Sequence, residues 1–399
     1  MADKYDLIVI GGGSMGLSTA YHASRRRLKT LVIEQYGYFN NAGSSAGESR
    51  QYRVQYSQKY LSELALAAQN YWADLQLRTP DTLICVVGSL WFGDPSLASQ
   101  EGGIGEAMKT MDKLSIPYTP LNARQIETLF RFKNLPKDYS GFFQANGGII
   151  NLKATQAALY NVAEKSGLVD FHQYETVTNI DTKANRPIAV ATQDALGQHV
   201  YKAKKLAITP GPYVNEILAH LGLSINLAIW EMSSAYYRKT EPDINFPTWF
   251  VFQHPQDTSL FYGFPEVEWS HPGYIRVAPD IPDRILSDPS QRSPAPSPKS
   301  LALNSEWVRN HMEGLDDNPQ FASTCLIALS NDSKELLLDY PPERIPNHQN
   351  IVIYTAGWAA KFIPILGEMI VELLEKDRRF FEFGKYEIDR AHFKIRWPK

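Results

Sequence analysis

The glycines at positions 11, 13 and 16 have G-x-G-x-x-G spacing, in the run Gly11-Gly12-Gly13-Ser14-Met15-Gly16. The first permits a tight turn, the second lets the backbone approach a pyrophosphate, and the third lets a helix pack closely on a strand. Free N–H groups at the start of the following helix, where Ser14 and Met15 stand, can then hold phosphate oxygens. Glu34 lies about twenty residues on, the usual place for an acid that hydrogen-bonds a ribose hydroxyl. Glycines also serve ordinary turns, so the context decides. Tyr5–Ile10 (YDLIVI) reads as a strand, the small and apolar stretch after Gly16 as a helix, and TLVI ending at Glu34 as a second strand. The unit is a dinucleotide-binding one. These residues alone leave open which dinucleotide.

A chain of 399 residues is too long for one ordinary core, so two domains are expected. A hydrophobic content of 44% is that of a globular protein, and a net charge of -3 argues against a nucleic-acid partner. No apolar run approaches the roughly 20 residues a bilayer requires, and the early first strand leaves no room for a signal peptide. With Cys85 and Cys325 as the two cysteines, a disulfide scaffold is not expected, and a reducing, cytoplasmic setting is. No metal site is expected. The 12% aromatic share suits an aromatic-lined pocket for a small molecule.

The elements that must position the glycine unit follow in order. Ser57–Leu77 has apolar residues at helical spacing. Strands are expected at Thr82–Val87 and Ser89–Phe92, and helices at Ala107–Leu114 and Asn122–Phe130, the latter capped by Asn122. A helix follows over Leu152–Ser166, then strands near Glu175–Ile180, Ile188–Thr192 and Lys204–Thr209, the last running into Pro210 and Gly211. Ile225–Arg276 is β-rich with an alternating pattern. Residues 281–300, rich in Pro and Ser, read as a loop, and Leu303–Leu315 as a helix. NIVIYTAGWAAKF is a buried strand entering a glycine turn, followed by a helix over Ile363–Leu374. The tail from Lys376 is charged and aromatic, with no obvious partner. The expected fold class is α/β (α+β overall): a discontinuous Rossmann-like domain of residues 1–85, 141–215 and 320–385. A substrate domain of residues 86–140 and 216–319, on a mixed or antiparallel sheet, is inserted into it. A pocket is expected where the two meet.

Three stretches, GGGSMGLSTAYHASRRRLKTLVIE, LAITPGPYVNEIL, and STC followed by YTAGWAAKF, resemble the monomeric sarcosine oxidase branch of the D-amino-acid oxidase family. The likeness runs over residues 5–375 and is greatest to the branch's cyclic imino-acid oxidases. It implies FAD as the cofactor, oxidation of a C–N bond of a small carboxylate-bearing imino or amino acid, and oxygen as the electron acceptor, giving hydrogen peroxide. A monomer is expected.

The resemblance also implies roles. Cys325 matches the cysteine that carries FAD as a thioether; read alone it is a buried cysteine in an apolar run. Arg53 and Lys361 match carboxylate-binding positions, a fork-shaped guanidinium and an ammonium suited to clamping that group. Arg50 is adjacent and would contact the flavin. Glu101 and Asp280 are candidate proton acceptors, since oxidation beside nitrogen requires the neutral amine. Sarcosine oxidases carry a histidine at the second. Arg276 stands where they place a lysine credited with activating oxygen, and its alternative is an ion pair with Glu266 or Asp280. Trp358 departs from the small residue usual near this turn but agrees with the imino-acid oxidases, where an indole narrows the pocket. Tyr262 matches a pocket tyrosine. Ser44 and Ser45, in a loop where sarcosine oxidases have histidines, would line the flavin, as would Gly211 and Gly357. The leading reading is an oxidase of a piperideine-2-carboxylate-like acid, with picolinate as the end product if oxidation continues to the aromatic ring. The alternatives are a sarcosine, N-methyl amino-acid or proline-type oxidase and, on the glycine motif alone, an NAD-dependent dehydrogenase.

Overall fold

The computed structural model describes residues 4–99, 102–253, 260–332 and 336–398. The strand Lys4–Ile10 is central because both its neighbours run parallel to it. Thr30–Glu34 pairs on one side and Gln198–Ile208 on the other, and Val169–Gln173 extends the sheet beyond Thr30–Glu34. Helices cover the sheet, so Leu7, Ile8, Val9 and Ile10 are all buried, and the strand reads as a continuous apolar run. The far edge of Gln198–Ile208 is shared. Its first half pairs antiparallel with Ile188–Gln193, and its end pairs parallel with Ile351–Thr355. The C-terminal strand and turn are thereby brought beside the N-terminal glycines.

The helix Ser14–Arg25 crosses the helix Ile363–Glu375 at Gly367, where an added Cβ would lie 2.5 Å from the Ser18 carbonyl carbon. That close approach lets Ser18 Oγ donate to the Ile363 carbonyl at 2.7 Å, and His22 Nε2 reach the Pro364 carbonyl at 2.8 Å. Glu368 accepts two bonds from Arg26, at 2.8 and 2.6 Å, and pairs with His22 Nδ1 at 2.8 Å. Burial opposes its ionisation, but the bonds from His22 and Arg26 outweigh burial and bring the carboxyl down to about 2. A depressed folded-state value means the stabilisation is full above the ordinary carboxyl range and is lost as pH falls toward 2. Glu368→Gln is therefore expected to cost about 2 kcal/mol near pH 7. Urea unfolding should show the difference from wild type shrinking between pH 5 and pH 3; a loss independent of pH would refute the assignment.

Among the described residues the second sheet has nine strands. Its order is Arg284–Leu286, Leu227–Lys239, Tyr274–Pro279, Phe261–Phe264, Thr248–Phe252, Ser89–Gly93, Ser140–Gln144, Thr119–Asn122, with Leu315–Ser330 also on Leu227–Lys239. It is mixed: Ser89–Gly93 and Thr248–Phe252 run parallel and the other pairs antiparallel. The expected domain boundaries at 141 and 320 fall inside two of its strands. A small sheet of Ser49–Tyr52, Gly148–Asn151 and Ile84–Val86 completes the junction.

Two local readings change. The helix expected over 303–315 spans Pro298–His311, because Ser297 accepts the Ser300 N–H as its cap and Pro298 suits the first turn. Leu315 instead opens the long strand, whose polar first half is held by pairing to Leu227–Lys239 rather than by its own apolar pattern. The tail forms a hairpin, Phe380–Phe383 with Tyr386–Asp389, burying Phe381 and Ile388, with Phe393 buried just beyond it. Asn122 caps Ala123–Phe130 as expected, in a capping box with Gln125. Among the described residues no helix is long and apolar enough to cross a membrane.

Candidate functional site

Gly11 has φ +99°, and an added Cβ would lie 2.7 Å from Pro210 Cα. At Gly12 a Cβ would stand 2.5 Å from the Tyr38 ring and 3.0 Å from Glu34 Cβ. At Gly16 it would run into the Gly11 carbonyl oxygen. The strand, turn and helix thus close on one another only without side chains. The helix then starts with no acid in its first turn and no side-chain cap on Gly13, leaving a positive end open to an anion. The Ser14 N–H donates to Ser45 Oγ at 3.0 Å, and Gln156 Nε2 donates to Ser14 Oγ at 3.1 Å. Glu34 accepts from the Gly12 N–H at 2.7 Å and the Tyr36 N–H at 2.9 Å. Burial pushes its carboxyl up, and the Tyr36 and Gly12 N–H groups oppose this. Arg50 donates to the carbonyls of Ser49, Ser44 and Ala46, so it braces the serine loop. A glycine cradle, an open helix end and a buried acid fit the pyrophosphate and ribose of FAD.

From this cradle one cavity of about 380 Å³ continues to the second sheet. Gly11, Gly13, Ser14, Met15, Glu34, Ser44, Ser45, Arg50 and Gly211 line one part of it. Tyr262, Arg276, Asp280, Cys325, Gly357, Trp358 and Lys361 line another. Gly16 packs behind the wall. Glu101 lies outside the described residues.

Cys325 is carried by Leu315–Ser330, opposite Met232 of Leu227–Lys239, and is half-buried. Burial pushes the Tyr262 phenol up to about 12, with Arg276 opposing and Cys325 and Asp280 reinforcing, so these four groups share one field. Arg276 is buried, donates from Nη1 to the Ser49 carbonyl at 3.1 Å and lies 5.0 Å from the Phe264 ring. The Glu266 partner considered for it pairs instead with Lys239 at 2.9 Å. Asp280 is buried, and its backbone N–H donates to Leu260 at 2.7 Å.

Lys361 is set by the turn that ends Ile351–Thr355. Ala356 at φ +72° and Gly357 at φ +83° reverse the chain, and the Gly357 N–H donates to the Ala328 carbonyl at 2.9 Å. Alanine in this left-handed region costs of order 1 kcal/mol. The turn is thus held by its surroundings, including the bond to the strand that carries Cys325. Trp72 Nε1 donates to the Lys361 carbonyl at 2.8 Å. Lys361 is 5% exposed, with Nζ 5.4 Å from the Tyr56 ring centre. Arg53 stacks on the same ring at 4.7 Å and on Trp91 at 4.8 Å. The two cations are therefore gathered on one tyrosine. Arg53 is fully buried and does not itself line the cavity; Gln51, which accepts from Arg53 Nη1 at 3.3 Å, does. Gln51, Tyr56 and Trp72 were not singled out from the sequence. Gln51 lies in the strand Ser49–Tyr52 and Arg53 just beyond its end, and that spacing of two was the available signal. With Met232, Phe250, Phe264 and Trp358 as apolar wall, the site can receive a small ring bearing one carboxylate.

The profile of the DAO family, FAD dependent oxidoreductase, matches residues 6–373. A Dictyostelium discoideum protein named as a bifunctional amine oxidase is 31% identical over 98% of this chain, which spans 38% of that protein's length. The human peroxisomal sarcosine oxidase is 26% identical, over 97% of this chain and 96% of its own. A structure of NikD in an open form, described as an unusual amino acid oxidase essential for nikkomycin biosynthesis, is 35% identical. It superposes with a TM-score of 0.88 over 99% of this chain and 98% of its own. The likeness to sarcosine oxidases holds over nearly the whole chain. The match to FAD enzymes sets aside the NAD-dependent alternative.

Proposed function

The chain belongs to the DAO family of FAD-dependent oxidoreductases, and on that premise we propose that it oxidises a C–N bond of a small cyclic imino or secondary amino acid resembling piperideine-2-carboxylate. The observation that carries this reading is the buried pair of cations on Tyr56, Lys361 on the cavity wall and Arg53 behind it. The Lys361 ammonium can bond one carboxylate at the wall, the Arg53 charge behind it adds to the attraction, and together they fix which carbon of the substrate faces inward. Gly11, Gly13, Ser14, Met15 and Glu34 would hold FAD at one end, and the bound flavin would supply two-electron oxidation with oxygen as the final acceptor and hydrogen peroxide as product. The Asp280 carboxylate takes the proton from the substrate nitrogen; Glu101 is the second candidate for that proton. Trp358 narrows the pocket to a planar ring. Arg276, positively charged at every working pH, stabilises negative charge developing on oxygen. NikD, described as an amino acid oxidase and similar over 99% of this chain, supports an amino-acid-like substrate. The sarcosine oxidases among the relatives support an N-methyl amino acid as the second reading.

Aerobic incubation with piperideine-2-carboxylate should yield hydrogen peroxide and an ultraviolet-absorbing aromatic product, whereas sarcosine should turn over poorly. Peroxide from sarcosine alone would select the second reading. We further infer that Cys325 is the covalent attachment point for FAD. After acid precipitation of wild type the yellow colour should stay with the polypeptide, and with Cys325→Ser it should pass to the supernatant. Colour in the wild-type supernatant would end the covalent assignment.

A further inference from the structure

We propose that Gln51 is a positioning residue that helps to orient Arg53 and, through it, tunes the preference of the cavity for a carboxylate. The proposal rests on the reading of Arg53 as a carboxylate-binding group. Arg53 lies against two aromatic rings, Tyr56 at 4.7 Å and Trp91 at 4.8 Å. Ring faces restrain the plane of a guanidinium but leave its rotation within that plane weakly defined. Directional bonds fix that angle, and Gln51 Oε1 supplies one of them by accepting from Nη1 at 3.3 Å. A guanidinium only donates, so the atom of Gln51 facing it is the oxygen, and the amide has one orientation.

Gln51 Nε2 then points to the second sheet. It donates to Ser89 Oγ at 3.2 Å and to Thr248 Oγ1 at 3.5 Å. Thr248 can accept because its own hydrogen goes to the Gly88 carbonyl at 2.9 Å. Ser89 is held in turn by Gln55 Nε2 at 2.7 Å. Ser89 and Thr248 are register partners in the parallel pair of that sheet. The backbone of Gln51 is equally fixed, opposite Ile149 in the small junction sheet. Gln51 therefore ties the plane of Arg53 to the strands that build the substrate end, and it is itself part of the cavity wall.

Picolinate and picolinamide, alike in ring and differing in the acid group, are the probes, titrated against the holoenzyme by the change in flavin absorbance. Gln51→Leu should weaken picolinate about tenfold and leave picolinamide within about twofold. In turnover the loss should fall mainly on KM. Gln51→Glu keeps the acceptor but places a carboxylate against Arg53, so it should weaken picolinate further, about a hundredfold, with partial recovery as pH falls. Being nearly isosteric, this variant stands in if Gln51→Leu does not accumulate. Arg53→Met is measured beside them. If it does not weaken picolinate, the reading of Arg53 fails. If it does, and both Gln51 variants bind picolinate as wild type, the positioning role of Gln51 is overturned. Equal weakening of picolinate and picolinamide would also overturn it, because it would show a general loss of pocket shape.

Discussion

Lys361→Met is expected to lower kcat/KM by about two orders of magnitude while FAD stays on the protein. Lys361 is 5% exposed and lines the cavity. A charge-assisted bond from such a group to a substrate carboxylate contributes about 3 kcal/mol, and every 1.4 kcal/mol is tenfold. Met keeps the length and apolar character of the lysine stem, so packing against Tyr56 and Phe362 should survive. The Trp72 bond is to the Lys361 carbonyl, so the substitution leaves the turn held. Burying an ammonium is itself costly. A thermal melt beside the kinetics separates lost chemistry from lost fold. Steady-state kinetics with a flavin spectrum and a thermal melt decide the matter. A variant within threefold of wild type in kcat/KM would remove Lys361 from substrate binding.

Gly16→Ala is expected to yield a protein that neither holds FAD nor reaches wild-type stability. The added Cβ would run into the Gly11 carbonyl oxygen and stand 3.1 Å from Thr209 Oγ1. The first of these is backbone, and no side-chain rotation relieves it. The helix Ser14–Arg25 would have to move away from the strand Lys4–Ile10, moving the N–H groups meant for phosphate. A cost of about 3 kcal/mol or more is expected, at the upper end of overpacking effects. Gly105→Ala is the control, since nothing lies within 4 Å of an added Cβ there. A purified Gly16→Ala protein that is yellow and melts with wild type would show that the close packing is not required. Colourless preparations of both variants would instead point to a general loss of cofactor during purification.

The glycine unit was legible in sequence because each of its parts is local. A strand, a turn needing positive φ, a helix and an acid fall within thirty residues, and the chain's own geometry imposes their spacing. The capping of Ala123–Phe130 by Asn122 was legible for the same reason. The strand Leu315–Ser330 was only half visible, because its polar first half is strand only by pairing to a partner distant in sequence. The start of Pro298–His311 was missed inside a Pro- and Ser-rich stretch, where the same residues that signal a loop also cap a helix. Family resemblance supplied Cys325, Lys361, Tyr262, Arg276 and Asp280 individually, and the fold places all five on one cavity.

What the sequence by itself determined is the nucleotide end, since steric and hydrogen-bonding demands between neighbouring residues leave little choice there. What only the tertiary structure decided is the substrate end. The parallel pairing of Ile351–Thr355 with Gln198–Ile208 brings the Lys361 turn beside the glycine cradle. The Tyr56 ring gathers Lys361 and Arg53, some three hundred residues apart in the chain. Gln51, unremarkable as one amide in a polar loop, stands at the wall because the junction sheet sets its register. Long-range pairing has no local signature, so a site assembled by it is read from the fold.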